Sequence, residues 1–272
     1  MKNSLLFSFL FAVQTFVLCY NIYNEVINLI IKKFSKQKNG MYKLLLEDDS
    51  NVVVHEEYIL KNDLLLTKEI GKEDVNNIDK INNNYNAYDL ALKYIGVKYR
   101  SCFEVHEYLL KKEVDRVVIH EVIDRLKSQK YLDDMVYAKA FVNDRIKFSN
   151  NGPYKIKREL DEKKISNVII EEVLGIFDDA LEREKLDKLV PKYVKTVRNK
   201  SSMMMKNKVC EYFSGLGYTK SIVLDILSSV SYDEESARLK EYNKLYNKLS
   251  RKYSGEELEF KIKQSLYKNG YK

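Results

Sequence analysis

One stretch, EVHEYLLKKEVDRVVIHEVIDRL from Glu104 to Leu126, returns along the chain in altered form, and this recurrence limits the possible folds more than any other feature. IKRELDEKKISNVIIEEVL begins at Ile156, VCEYFSGLGYTKSIVLDIL at Val209 and a truncated IKQSLYKNGYK at Ile262. Counted from Val105, the copies start 51, 53 and 53 residues apart. A fixed period of this size marks stacked supersecondary units rather than one continuous core.

Two sets of apolar positions define the repeat. Leu109, Leu160, Phe213 and Leu266 lie four residues after the starting aliphatic residue, on the same helical face. Val114, Ile165, Tyr218 and Tyr271 follow five residues later, past a tight corner. Asp115, Ser166 and Thr219 come next and can cap a second helix. Ile119, Ile170 and Val223 then fall where a hydrophobic staple needs them. The corner calls for a left-handed residue, which Gly217 and Gly270 supply. Glu113 and Lys164 take that place in the first two copies, where a left-handed backbone would cost about 1–2 kcal/mol, so either the corner is looser there or stacking offsets the strain.

Another helical pattern precedes each corner, at Ala87–Tyr99, Met135–Phe148, Asp179–Val197 and Glu235–Lys252. The expected fold is therefore mainly α: tandem three-helix repeats in an elongated array, behind a small β-hairpin or three-stranded element. The expected divisions are 1–25 (apolar extension), 26–85 (β/α element), 86–134, 135–178 and 179–232 (three repeats) and 233–272 (a partial fourth). Two prolines, nine glycines and no tryptophan suit a helical chain.

Residues 131–166 carry a more specific pattern. Tyr131-Leu132-Asp133-Asp134, Tyr137-Ala138, Arg145, Gly152, Glu159-Leu160 and Lys163-Lys164-Ile165 follow one another at the spacing of the RecX family of recombination regulators. Upstream, Ala87-Tyr88, Ala91-Leu92 and Arg100-Ser101 resemble that family's opening helix and RS step. The chain departs from the pattern in Lys164 at the corner glycine, in the appended fourth unit and in extra N-terminal residues. The resemblance implies a cytoplasmic, non-enzymatic regulator that binds the RecA–DNA filament and modulates its ATPase and strand exchange, usually by inhibition. The expected partners are RecA and single-stranded DNA within the filament, with weak direct DNA binding as a further option; no cofactor, metal or membrane is expected, and the chain is expected to be a monomer.

The residues themselves fit a binding role. Nucleotide-binding, metalloprotease and serine-hydrolase motifs are missing from the sequence. Asp133-Asp134 and Asp178-Asp179 stand ahead of helices, where capping is a better reading than metal binding. Cys19, Cys102 and Cys210 are scattered, as in a reducing compartment, and His55, His106 and His120 read as packing or surface residues. The net charge is +7, from 47 basic and 40 acidic residues, which permits a polyanionic partner without demanding one. Arg100, Arg125, Lys127, Arg145, Lys147, Lys155, Lys157 and Arg158 are the candidates for contacting RecA or DNA. Basic residues at helix C-termini also complement the helix dipole, and Arg145 could instead pair with Asp133 or Asp134. The alternatives are a nucleic-acid-binding module of helix-turn-helix type, disfavoured because no second corner helix is basic, and a helical scaffold for another protein.

Several local expectations complete the reading. The apolar run of residues 4–20 fits a membrane anchor, a docked helix or an early-assigned start, the last being favoured. Val26–Phe34, Met41–Glu47 and Val52–Val54 read as strands joined at Asn39-Gly40 and Asp48–Asn51. His55–Asn62 and Lys72–Asn83 read as helices, and Asn82-Asn83-Asn84 as a linker. Ser101 and Glu104 form a capping box, Pro191 predicts a kink or a break near Val190, and Ser201 to Met205 reads as a flexible joint in preference to a methionine contact surface.

Overall fold

The computed structural model describes residues 28–197 and 200–271, so the apolar run and the expectation of a strand at residues 26 and 27 lie outside the described residues. Four strands come first or are interleaved with short helices. They are β1 (Asn28–Lys36), β2 (Met41–Leu46), β3 (Asn51–His55), α1 (Glu56–Lys61), α2 (Leu64–Thr67), β4 (Glu69–Gly71) and α3 (Lys72–Asn76). Eleven further helices follow in sets: α4 (Ile78–Ile95), α5 (Cys102–Leu110) and α6 (Arg116–Ser128); α7 (Asp134–Phe148), α8 (Pro153–Glu162) and α9 (Asn167–Leu174); α10 (Asp179–Thr196), α11 (Ser202–Gly215) and α12 (Lys220–Ser229); α13 (Glu234–Leu249) and α14 (Gly255–Lys268). The described residues divide into two compact bodies, those up to 98 together with 105–129, and 99–104 together with those from 130 onward.

In the first body the sheet has four antiparallel strands in the order β3-β2-β1-β4, where the sequence suggested three. Asn39 and Gly40, at φ +58° and +71°, turn β1 into β2 as expected. The additional strand is short, pairs Leu29 with Ile70, and lacks any alternating pattern of its own. It forms because the free edge of β1 offers it a partner, and Ile70 is buried in doing so. Ile31, Leu44, Leu46, Val54, Tyr58 and Ile59 make the core over the sheet.

The three asparagines are not a linker but part of α4. Asn82 is buried and uses both ends of its amide: Oδ1 accepts from His55 N–H at 2.9 Å and Nδ2 donates to Val53 O at 2.8 Å. It thereby satisfies the backbone where β3 ends, which explains a polar residue on a buried helical face. His55 caps α1, its Nδ1 accepting from Glu57 N–H at 3.2 Å.

The repeated corner is one structure built four times. The N–H of Val114, Ile165, Tyr218 and Tyr271 donates back five residues to the carbonyl of Leu109, Leu160, Phe213 and Leu266, at 3.0–3.2 Å. The intervening N–H of Glu113, Lys164, Gly217 and Gly270 donates to the carbonyl three residues earlier. This is the Schellman closure of a helix, which needs a left-handed residue. All four residues adopt it, at φ +61°, +57°, +82° and +78°, so the corners carrying Glu113 and Lys164 are strained rather than looser.

Other local expectations divide. Asp115, Asp133, Ser166 and Asp178 cap the helices that follow them, and Ser101 and Glu104 form their reciprocal capping box at 3.2 Å each way. Thr219 does not cap α12 through its side chain. Its N–H and hydroxyl both donate instead to buried Glu182 of α10, a tertiary partner the local sequence could not reveal. Pro191 does not break α10, which continues to Thr196 and buries Leu186, Val190 and Val194 on one side. Ser201–Met205 is the capped start of α11, with Ser201 and Met205 buried, rather than a joint. The second body has a main core of Val142, Ile156, Leu160, Ile170, Leu186 and Phe213 with their neighbours. A smaller core of Ala237, Leu258, Ile262, Leu266 and Tyr271 holds the last helices together.

Candidate functional site

The motif residues of the second repeat gather in the second body, and most of them are spent on holding it together. Glu104, whose side chain is 15% exposed, accepts from Lys163 Nζ at 3.0 Å and from Ser101 N–H at 3.2 Å, with Arg100 at 3.9 Å. Burial works against its charge, but the Lys163 and Ser101 hydrogen bonds and the nearby cations outweigh this and hold its carboxyl below the usual glutamate range. Burial, then the neighbouring charge of Glu104, pushes the Tyr137 hydroxyl well above the ordinary tyrosine value. Asp134 accepts from Cys102 N–H at 2.8 Å. Thus the RS step, the second aspartate of YLDD, the tyrosine of the YA pair and the lysine before the corner meet at one joint.

The candidate basic residues divide in the same way. Arg100 is absorbed into that joint. Arg145 donates through Nε to Glu159 at 2.6 Å and covers the Phe141 ring at 4.4 Å; neither Asp133 nor Asp134 is its partner. Asn151 Nδ2 also donates to Glu159, at 3.0 Å, so this carboxylate organises the turn between α7 and α8. In the first body, Arg125 donates to Glu57 at 2.9 Å and lies 3.7 Å above the Tyr88 ring. An arginine that is paired and stacked is spoken for.

Lys127 stands exposed at the end of α6 in the first body. The others, Lys147, Lys155, Lys157 and Arg158, flank the turn from α7 to α8 in the second body and form no salt bridge among the described residues. Lys147 and Arg158 are exposed and Lys155 and Lys157 half-buried. Two aromatic side chains join them in solvent: Phe148 is 83% exposed and Tyr154 63%. Reading by charge alone missed both. A signal was available, since Tyr154 and Arg158 are one turn apart on the face of α8 opposite the buried Ile156 and Leu160.

The turn that carries these groups is firmly built. Lys185 of α10 reaches across and donates to Ile146 O at 2.6 Å and Ser149 O at 3.0 Å, closing the carbonyl end of α7. Gly152 N–H donates to Leu216 O at 2.7 Å, and Tyr154 N–H to Gly217 O at 3.1 Å. The start of α8 is thus capped by the third corner. The approach is so close that a Cβ at Gly152 would lie 2.5 Å from Gly217 O. Cations and aromatic faces on a fixed, exposed turn can take up the phosphates and bases of a single strand.

No cluster of three or more His, Cys, Asp or Glu is placed to hold a metal among the described residues, and no described helix is long and apolar enough to cross a membrane. Fold and surface together define a class: a small antiparallel sheet followed by tandem three-helix units that present basic and aromatic side chains. The family description for the first three-helix domain of RecX matches residues 87–126, and that for the second matches residues 133–174. A regulatory protein RecX of Halalkalibacterium halodurans is 30% identical over 245 residues, covering 87% of this chain and 92% of the relative. One from Streptococcus pneumoniae serotype 19F is 31% identical over 247 residues, covering 89% and 94%. Among solved structures, a regulatory protein RecX superposes with a TM-score of 0.65 at 23% identity, covering 72% of this chain and 99% of that one. RecX from Lactobacillus salivarius gives 0.51 at 27% identity, covering 54% and 95%. The chain belongs to the RecX family of regulatory proteins.

Proposed function

We propose that this chain is a non-enzymatic, cytoplasmic regulator that binds the RecA–DNA filament and slows its ATPase and strand exchange. Family membership supports a regulatory role, and the resemblance of the second repeat points to RecA as the partner. The observation that carries the contact assignment is the basic and aromatic turn at Lys147, Phe148, Tyr154 and Arg158, which the packing of the second body leaves in solvent, with Lys157 half-buried beside them. Repeated units suit a polymeric partner, because several weak contacts joined in one chain gain from high effective concentration. A chain lying on the filament would hinder the closing motions that ATP hydrolysis requires.

The test is to add the purified protein to RecA assembled on single-stranded DNA and to follow ATP hydrolysis and strand exchange. Both rates are expected to fall as protein is added through the micromolar range. Unchanged rates together with tight, sequence-dependent duplex binding would move the assignment to a helix-turn-helix reader. The geometry does not favour that reading, since the second corner helices α6, α9 and α12 begin Arg-Val-Val, Asn-Val-Ile and Lys-Ser-Ile, with no cluster of base-reading side chains.

A further inference from the structure

A separate basic cleft lies where the end of α10, the start of α11 and one face of α13 approach each other. Its volume is about 480 Å³, and Thr196, Lys200, Lys208, Lys240, Glu241 and Lys244 supply its polar lining. The floor is Ala237, 3% exposed, one turn before Lys240 and Glu241 on the same helical face. A small side chain there leaves the space, and the i, i+3, i+4 and i+7 spacing directs the following residues toward it.

The charges in this cleft are poorly matched by the protein itself. Four lysines face one carboxylate. Lys240 and Lys244 are an i,i+4 pair of like charges, an arrangement that weakens a helix unless something else neutralises it. Glu241 accepts from Lys244 Nζ at 3.4 Å and from Asn269 Nδ2 at 3.3 Å. Lys200, Lys208 and Lys240 form no ion pair among the described residues. Carbonyls at the C-terminus of α10 attract positive charge, but the helix end carries only about half an elementary charge, far less than four lysines supply. Thr196 spends its hydroxyl hydrogen on Tyr193 O at 2.7 Å, so among the described residues the polar side-chain donors left to a ligand are ammonium groups. Lys200 is held at the rim because the Tyr232 hydroxyl accepts from its N–H at 3.2 Å and donates to its carbonyl.

A cleft whose described free donors are ammonium groups selects a ligand that only accepts and carries several negative charges. Lysines offer point charges without the planar fork that suits paired carboxylate oxygens, and they bind phosphate readily. We infer that this cleft is a phosphate-binding site for adjacent phosphates, either those of a nucleic-acid backbone or those of a free polyphosphate. It is distinct from the α7–α8 turn and does not depend on RecA.

Titration calorimetry with sodium tripolyphosphate and anisotropy with a fluorescein-labelled oligothymidylate test the inference without RecA present. K208E/K240E changes two exposed lysines and should weaken binding of at least one of these ligands ten-fold or more. Lys240→Gln, which removes a single charge, should give a smaller loss. K38E/K43E, on the first body, carries the same change in net charge and should bind as the parent does. Circular dichroism checks that each variant folds. Binding of tripolyphosphate alone would assign the cleft to a free polyphosphate. Binding of the oligonucleotide alone, or of both in competition, would assign it to a strand backbone. Equal affinity of the parent and K208E/K240E for both ligands, or no measurable binding, would overturn the site. So would poly-glutamate binding as tightly as tripolyphosphate, because the face would then suit an acidic protein segment.

Discussion

Glu113 and Lys164 hold left-handed conformations that Gly217 and Gly270 occupy without strain in the later copies. Glu113→Gly and Lys164→Gly are therefore expected to raise stability by about 1 kcal/mol each, less the extra freedom glycine brings to the unfolded chain. Gly217→Ala is expected to cost about 3 kcal/mol or more. Its Cβ would face Lys155 N at 2.2 Å as well as adopting an unfavourable φ. Urea titration of the three variants checks the opposite signs. Glu104 makes a second prediction at this scale. Its carboxyl is held below the usual range in the folded chain, so its contribution is fully present above the unfolded glutamate value and fades as pH falls through the folded one. Denaturation midpoints should drop on acidification below that range, and less steeply in Glu104→Gln; parallel curves for the two proteins would contradict this. Both residues could be singled out from the sequence, Glu104 as half of a capping box and Lys164 as a misfit at a corner. Lys163, which donates to Glu104 from 59 residues further on, could not.

The contacts between successive helices repeat as well. At the first residue of α5, Cys102 N–H donates to Asp134 at 2.8 Å; at the first residue of α11, Ser202 N–H donates to Glu234 at 3.0 Å. Asp134 and Glu234 each open the approach helix that follows, α7 and α13. The corresponding first residue of α8 is Pro153, which has no N–H to give to Asp179 at the start of α10. Asp134→Ala and Glu234→Ala should thus each cost about 1–2 kcal/mol, through loss of a charge-assisted hydrogen bond. Asp179→Ala should cost about 0.5 kcal/mol or less, which is the helix-dipole contribution alone. Equal losses at the three positions, measured by chemical denaturation, would show that the contact is incidental. The caps at Asp115, Asp133, Ser166 and Asp178 were legible because a cap and its helix are neighbours in sequence. Thr219 was misread because its acceptor, Glu182, lies 37 residues away.

At the scale of the molecule, the surface that regulation would use is what remains after packing has taken its share of charge. Arg100, Arg125 and Arg145 are bound to carboxylates, whereas Lys147, Lys157 and Arg158 are not. The triple variant K147E/K157E/R158E should accordingly lose inhibition of the RecA ATPase ten-fold or more, while Lys127→Glu alone should shift it little. Its binding to single-stranded DNA should also lose about two units of salt dependence, if roughly three phosphate contacts are removed. A triple variant that inhibits as the parent does would place the contact elsewhere on the molecule.

The sequence by itself determined the repeat, its helical corners, most of the caps and the hairpin, because each depends on residues within about ten positions of one another, where backbone geometry and hydrophobic spacing act directly. Tertiary structure decided what depends on partners distant in the chain. The edge of β1 recruited a fourth strand, Val53 and His55 drew Asn82 into the interior, and Glu57 and Glu159 claimed two of the candidate arginines. A charged side chain is free to bind a partner only if folding brings no opposite charge to it, and that is settled by the packing of residues far apart in sequence.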